Sequence, residues 1–260
     1  MRHDIAYNTT LIQNESEEIP KIDIEIPKHE FKDNQYPEDI QYPEDIQDPV
    51  FVLFGNAAYK SLLANYICNI AVFPGMHEHT LIIVTDLETK LYLEGLSTQV
   101  NIWLIEDSDQ DAYNYDTAQY IRLMQLRGQH LLQVLGKKTI LWLEADAMYY
   151  ENLLLQPEIL HSSTDITFFW DWQSYGGGFI RFAATDTARQ FYADIINTTG
   201  NGVNDQSSLN QYIASSNFKN FSVFDDCKYR SGMYYKNEEY RRRCEGVKAV
   251  VQQYNWIADS

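Results

Sequence analysis

Glu144 and Asp146, at the end of the run Leu141-Trp142-Leu143-Glu144-Ala145-Asp146, are the residues in this chain whose types and spacing point most directly to chemistry. Side chains two apart on a strand project to the same side, so both carboxylates can address one point. Like charges held there repel unless a cation lies between them, and oxygen ligands of this kind suit Mn²⁺ or Mg²⁺ carrying a diphosphate. A strand that simply ends in polar residues would look the same. Asn204-Asp205-Gln206 is a second polar cluster, which would serve equally as a helix N-cap. Gly176-Gly177-Gly178 permits close backbone approach to a ligand, and a tight hairpin explains it as simply. His77 and His79 lack neighbouring Cys and read as solvated loop residues. Without a Gly-x-Ser-x-Gly elbow or a Walker-type loop, the chain reads as neither a serine hydrolase nor a P-loop enzyme.

The elements that must position these residues follow from hydrophobic periodicity. Val50-Phe51-Val52-Leu53-Phe54 is a short apolar run ended by Gly55-Asn56, and an i, i+3/i+4 pattern continues through Leu62, Leu63, Tyr66, Ile67 and Ile70. This predicts strand, turn and helix. Leu81–Asp86 and Val100–Ile105 read as further buried strands, residues 117–135 as a long amphipathic helix, and Thr139–Leu143 as a fourth strand. Continuous apolar strands alternating with helices predict a mostly parallel, open α/β sheet covered by helices on both faces. Ligands bind such sheets outside the carboxyl ends of the strands, where Glu144 and Asp146 fall. Further on, Asp165–Trp170 and Gly178–Phe182 read as two strands joined through a turn at Ser174–Gly177. Thr185–Ile196 and Asp205–Ile213 read as helices, and Val247–Val251 as a last short strand.

Charge is uneven. Residues 1–48 hold thirteen Asp/Glu against four Lys/Arg, four of the seven prolines, and a direct repeat, Gln35-Tyr36-Pro37-Glu38-Asp39-Ile40 followed by Gln41–Ile46. Such a segment buries too little surface to offset chain entropy and is expected to be a disordered arm or linker, with one catalytic domain over 49–260. Apart from Arg241-Arg242-Arg243 there is no basic run, so nucleic acid is not an expected partner. No window approaches the ~18 uninterrupted apolar residues of a membrane span, and the first residues lack the apolar core of a signal peptide. Cys68 reads as a small core residue, whereas Cys227 and Cys244, without zinc-site spacing, are candidates for a disulfide. That bond would imply an oxidising compartment, and the sequons at Asn8, Asn14, Asn197 and Asn220 point the same way.

Taken in order, Tyr120–Arg127, Lys138–Asp146, Gly177-Gly178-Phe179-Ile180, Asn204–Asn210 and Tyr254-Asn255-Trp256-Ile257 resemble the nucleotide-diphospho-sugar transferases of plants, algae, nematodes and some viruses. The resemblance covers residues 50–257 and implies a GT-A glycosyltransferase fold of Rossmann-like type. It implies that Glu144-Ala145-Asp146 stands for the family's Asp-x-Asp metal motif, with Asp146 the direct ligand and Glu144 at the ribose or bound through water. Gln253-Tyr254-Asn255-Trp256 stands where the family has His-x-Asn-Trp, so Gln253 replaces a metal-binding imidazole with an amide, and Asn255 and Trp256 fall on the donor side. Arg127 takes the place of a Lys suited to the diphosphate. Asp205 and Gln206 line the sugar and acceptor side, Gly177 and Gly178 approach the sugar, and Asn56, Tyr59 and Asp86 fall where a nucleobase would lie.

The expected function is transfer of a hexose or pentose from a nucleoside diphosphate sugar, UDP-linked, to a hydroxyl of a glycan or glycoprotein. Mn²⁺ or Mg²⁺ would assist, and the family resemblance suggests retention of configuration. The alternative is an impaired GT-A domain that binds a glycan or a protein, because two departures fall on one ligand set. Paired acids of a hydrolase must flank the scissile bond, which two residues on one strand do poorly. The family's cellular members usually carry a Golgi membrane anchor. For a chain that is soluble as given, this leaves the Golgi lumen after loss of an anchor, or a cytoplasmic or viral module.

Overall fold

The apolar runs of the first half become the parallel part of a seven-stranded sheet. A computed structural model describes residues 43, 45–105, 117–171, 174–199, 203–216 and 218–254. β1 (Val50–Gly55) passes through a 3-10 turn at Ala57–Tyr59 into α1 (Lys60–Ile70), and β2 (Thr80–Val84) into α2 (Leu87–Glu94). β3 (Asn101–Leu104), α3 (Ala118–Val134) and β4 (Ile140–Leu143) complete this half. Then come β5 (Ala147–Tyr149), α4 (Pro157–Leu160), β6 (Ile166–Asp171), β7 (Ser174–Phe182), α5 (Asp186–Thr198) and α6 (Asp205–Ser215). The chain ends in smaller pieces: β8 (Phe221–Val223), β9 (Tyr229–Arg230), α7 (Met233–Lys236), α8 (Glu238–Arg243) and β10 (Val251–Gln253).

The large sheet has the order β3-β2-β1-β4-β7-β6-β8. β1 pairs in parallel with β2 and β4, and β2 with β3, while β7 is antiparallel to both β4 and β6. Two reversals cancel, so β6 runs in the same direction as β1, β2 and β4. Their carboxyl ends, followed by Asn56, Thr85, Glu144 and the last residue Asp171, share one edge with the start of β7. Val50–Leu53 and Leu81–Val84 are wholly buried, as strands covered on both faces must be. Side-chain caps set the helix starts: Thr117 accepts from the Tyr120 N–H, Thr185 from Ala188 and Asn204 from Ser207. No helix among the described residues is long and apolar enough to cross a membrane.

A second sheet, β5-β10-β9, leaves the edge of the first just after the carboxylate pair. β10 is antiparallel to β5, with Gln253 opposite Ala147 and Val251 opposite Tyr149. A disulfide between Cys227 and Cys244 ties β9 to the end of α8. Beside it the Tyr240 hydroxyl donates to the Asp226 carbonyl at 2.6 Å, and the Gln252 amide to the Ser231 carbonyl at 2.9 Å.

Five expectations change. His77 and His79 are packed rather than solvated: His79 is buried with Nδ1 2.8 Å from the Pro49 carbonyl, and His77 Nε2 lies 3.0 Å from the Ile67 carbonyl. Cys68 is exposed, because the buried stripe of α1 runs through Leu63, Ala64, Tyr66, Ile67 and Ile70 and leaves position 68 on the outer flank. Gly176-Gly177-Gly178 lies inside β7 rather than in a turn; Gly75, Gly136 and Gly246 are the described glycines with positive φ. The last strand is Val251–Gln253, beginning where the expected one ended. Ordered packing also starts before Pro49: Ile46 is buried, its carbonyl accepts from Lys138, and Asp48 accepts from the Thr139 N–H at 2.8 Å.

Candidate functional site

The shared edge gathers four carboxylates and one buried cation. Glu144 and Asp146 leave the end of β4, Asp171 closes β6, and Asp205 opens α6. Arg127, 7% exposed on α3, forms an ion pair with Asp205 and lays its guanidinium 4.5 Å from the centre of the Trp142 ring. Gly178 explains how Glu144 fits. A Cβ at 178 would lie 2.2 Å from Glu144 Oε2, so only a residue without a side chain lets this carboxylate pack against β7. Gly177 touches the start of α6 instead: its N–H donates to Gln206 Oε1 at 3.4 Å, and a Cβ there would make ordinary contacts with Gln206 and Asp205.

The electrostatics follow from this crowding. Burial, and next the neighbouring charge of Asp146, push the Glu144 carboxyl up to about 8, against a smaller opposing pull from Arg127. Burial raises Asp146 as well. For Arg127 burial works against the charge, but Asp205 and weaker contributions from Tyr192, Tyr120 and Glu144 outweigh it and hold the guanidinium above its usual range. Tyr59 is raised by burial and by Glu144, and the Tyr149 phenol chiefly by burial. A site that concentrates acids around one cation is short of positive charge.

Among the buried polar atoms here without a hydrogen-bond partner among the described residues, three surround the turn after β4: Asp146 Oδ1, the Tyr149 hydroxyl and Gln253 Nε2. They come from the turn after β4, from β5 and from β10. The ladder that sets Gln253 opposite Ala147 is continued by the Tyr254 N–H, which donates to the Asp146 carbonyl at 3.1 Å. Orphaned buried polar atoms are costly and uncommon, and they mark where a ligand can complete a network. Since side-chain amides can turn end for end, Gln253 can offer oxygen as readily as nitrogen. The chemistry of the donors fits a divalent cation. By contrast, among the described residues the one gathering of three His, Cys, Asp or Glu donor atoms is Asp226 with Cys227 and Cys244, whose sulfurs are bonded to each other.

The structure sorts the expected residues. It brings Tyr59, Arg127, Glu144, Asp146, Gly177, Gly178, Asp205 and Gln206 to one edge and sets Gln253 beside Asp146. Arg127 is not a free cation waiting for a diphosphate, because its charge is engaged by Asp205. Asn56 caps the 3-10 turn, accepting from the Ala58 N–H at 3.2 Å, and Asp86 caps α2, accepting from Thr89 at 2.8 Å. Asp86 Oδ2 and Thr89 Oγ1 are buried without hydrogen-bond partners among the described residues and mark a polar spot at the end of β2. Asn255 and Trp256 lie outside the described residues. Sequence reasoning overlooked Asp171 and Tyr149. Asp171 had a signal, an apolar strand ending in an acid just as β4 does, whereas Tyr149 reads as an ordinary strand residue.

A mixed sheet with an acidic turn at its carboxyl edge, and a small second sheet packed on that turn, defines the GT-A class of glycosyltransferase folds. Residues 75–258 match the nucleotide-diphospho-sugar transferase family, and the chain belongs to that family. Among solved structures it is similar to the bifunctional glycosyltransferase WbbM, with 11% identity and a TM-score of 0.57 over 82% of this chain and 47% of that one. It is also similar to the glycosyltransferase GlyE of Streptococcus pneumoniae TIGR4, at 14% identity and a TM-score of 0.51, covering 79% of this chain. An active-site mutant of LgtC aligns at 12% identity and a TM-score of 0.51, over 78% of this chain and 86% of that one. At such identities the likeness is one of fold. The chain spans 54% of the length of GlyE. No curated protein sequence matches it.

Proposed function

We propose that this chain moves a hexose or pentose from a UDP-linked donor to a hydroxyl of a glycan or glycoprotein, with a divalent cation at the turn after β4. The observation that carries the reading is the convergence of Asp146, Tyr149 and Gln253, each with an unpartnered buried atom, at the edge where an open α/β sheet binds ligands. Asp146 and Gln253 would hold Mn²⁺ or Mg²⁺, with Glu144 beside them. The cation would supply the positive charge that stabilises a leaving diphosphate, and carboxylate and amide oxygens are acceptable donors for it.

The chain's own residues do the positioning. Arg127 fixes Asp205 at the first turn of α6, where a carboxylate also meets the positive end of the helix dipole. Gln206, held by hydrogen bonds of 3.4 Å to Gly177 N–H and Ser174 Oγ, is free to re-aim its amide toward the transferred sugar. Gly178 lets Glu144 lie flat against β7, and the polar spot at Asp86 and Thr89 is suited to the nucleobase or ribose. The Cys227–Cys244 bond favours an oxidising compartment such as the Golgi lumen.

The test is nucleotide release from a panel of nucleotide sugars with Mn²⁺, comparing wild type with Asp146→Asn. The expected result is metal-dependent release with at least one UDP-sugar, reduced at least about 100-fold in the variant, the scale on which removing one preorganised charge-stabilising group acts. Release without metal and insensitive to Asp146→Asn would overturn the site. A wild type that binds no nucleotide would support the binding-module alternative.

A further inference from the structure

Beside the carboxylate turn stands an aromatic surface that the donor reading does not use. Tyr150 follows β5, Tyr254 follows β10 and Tyr235 lies on α7. The Tyr150 and Tyr254 hydroxyls meet at 3.1 Å, and the Tyr235 hydroxyl lies 3.5 Å from that of Tyr254. The rings of Tyr235 and Tyr254 are stacked, with centroids 5.8 Å apart and planes 23° from parallel. Tyr150 is 45% exposed, Tyr235 43% and Met148, two residues before Tyr150, 40%. Three phenols from three separate elements thus share one exposed surface and join their hydroxyls at one place.

This surface begins at the candidate site, since the Tyr254 N–H donates to the Asp146 carbonyl at 3.1 Å. It is also well supported. Arg241 of α8 donates to the Tyr235 carbonyl, Tyr234 packs edge-on against buried Tyr240 at 5.6 Å, and the disulfide fixes the end of α8. A preorganised surface of flat apolar faces with phenol hydroxyls at one edge matches a pyranose ring. The weakly positive C–H face of the sugar lies on the negative face of an aromatic ring while its hydroxyls exchange hydrogen bonds with phenols.

We propose that Tyr150, Tyr235 and Tyr254 form a platform that holds a neutral sugar residue of the acceptor glycan beside the donor site. The inference rests on the donor-site reading above for its direction, because that reading makes the neighbouring saccharide an acceptor. Because each ring offers its own face to the saccharide, binding is lost stepwise as rings are removed.

The test is saturation-transfer NMR on the whole chain with three neutral probes, lactose, cellobiose and xylobiose, for wild type, Tyr235→Ala and Tyr254→Ala. UDP affinity measured in the same samples reports on the donor site independently. The expected result is transfer to at least one probe in wild type, weakened about tenfold or more in each variant, with Tyr235→Phe restoring it because the ring face is kept. Transfer that is absent in wild type, or unchanged in both alanine variants, would overturn the platform even if UDP binding is intact. Self-association that disappears in Tyr235→Ala, without saccharide binding, would overturn it in favour of a contact between two copies of this chain. Loss of UDP binding together with intact saccharide binding would instead sink the donor reading and leave the platform standing.

Discussion

The parallel half of the sheet and the small sheet that follows the carboxylate turn are held together by different means. β1, β2 and β4 are buried on both faces, and their stability comes from apolar area. The β5-β10-β9 sheet has strands of three, three and two residues. Ladders that short are marginal by themselves, and here a disulfide, the Tyr240–Asp226 and Gln252–Ser231 hydrogen bonds and packing on the core make up the difference. The site lies on the seam. Glu144, Asp146 and Asp205 are positioned by the large sheet and its helices, whereas Gln253 is delivered by the stapled one. The molecule therefore has two independent ways to lose its site.

The most drastic way to break the comparison is from the large-sheet side. Arg127→Ala leaves Asp205 buried without its partner, and breaking a buried ion pair typically costs about 3–5 kcal/mol. Chemical denaturation should show a loss of that order, and donor turnover should fall with it. A loss below about 1 kcal/mol would mean that the pair is effectively solvated. From the other side, Cys227→Ser with Cys244→Ser opens a loop with a sequence separation of 17, for which about 2–4 kcal/mol is typical. The contrast lies in the exchange pattern: amides of β9 and β10 should lose hydrogen-exchange protection while β1 and β2 keep theirs. Uniform loss across both sheets would show that the two regions are one cooperative unit. Gly178→Ala strikes the seam itself. Its Cβ would meet the Glu144 carboxylate, the flexible end of a side chain that can turn away, so activity should fall while stability drops by no more than about 1 kcal/mol.

A smaller effect comes from pH. The folded chain holds Glu144 up to about 8 against an ordinary value of 4.5, so between these limits it keeps a proton that the unfolded chain has released. Stability contributed by this group is therefore present at low pH and is lost as pH rises through that window. The melting temperature of the metal-free protein should fall from pH 5 toward pH 8 with a slope that Glu144→Gln reduces. Mn²⁺ should offset the fall by taking the proton's place. Equal slopes in wild type and variant would show that Glu144 is solvated.

The same contrast explains what the sequence made legible. β1 to β4 and β6 could be read to within a residue or two, because a strand buried on both faces is written as an unbroken apolar run, whereas the short, half-exposed edge strand β8 was not foreseen. The acidic end of β4 at Glu144-Ala145-Asp146 was visible because it closes such a run. β7 was legible only in part: three glycines inside a strand carry no side-chain signal and look like a turn until Glu144 is seen filling the space beside Gly178. The register of β10 was missed because a three-residue strand held by a disulfide needs no periodicity of its own. Cys68 was misplaced because one helical position separates the buried stripe of α1 from its outer flank. The Arg127–Asp205 pair joins residues 78 apart in sequence, and no local pattern announces it.

The central claim, that the seam between the two sheets binds a divalent cation and a nucleoside diphosphate together, is tested most directly by calorimetric titration of UDP with Mn²⁺ or with EDTA, into wild type and Asp146→Asn. The account predicts that Mn²⁺ tightens UDP binding to wild type by at least about tenfold, or about 1.4 kcal/mol, and that Asp146→Asn abolishes the increment while keeping the fold. UDP affinity that is the same with EDTA as with Mn²⁺, and the same in both proteins, would contradict it.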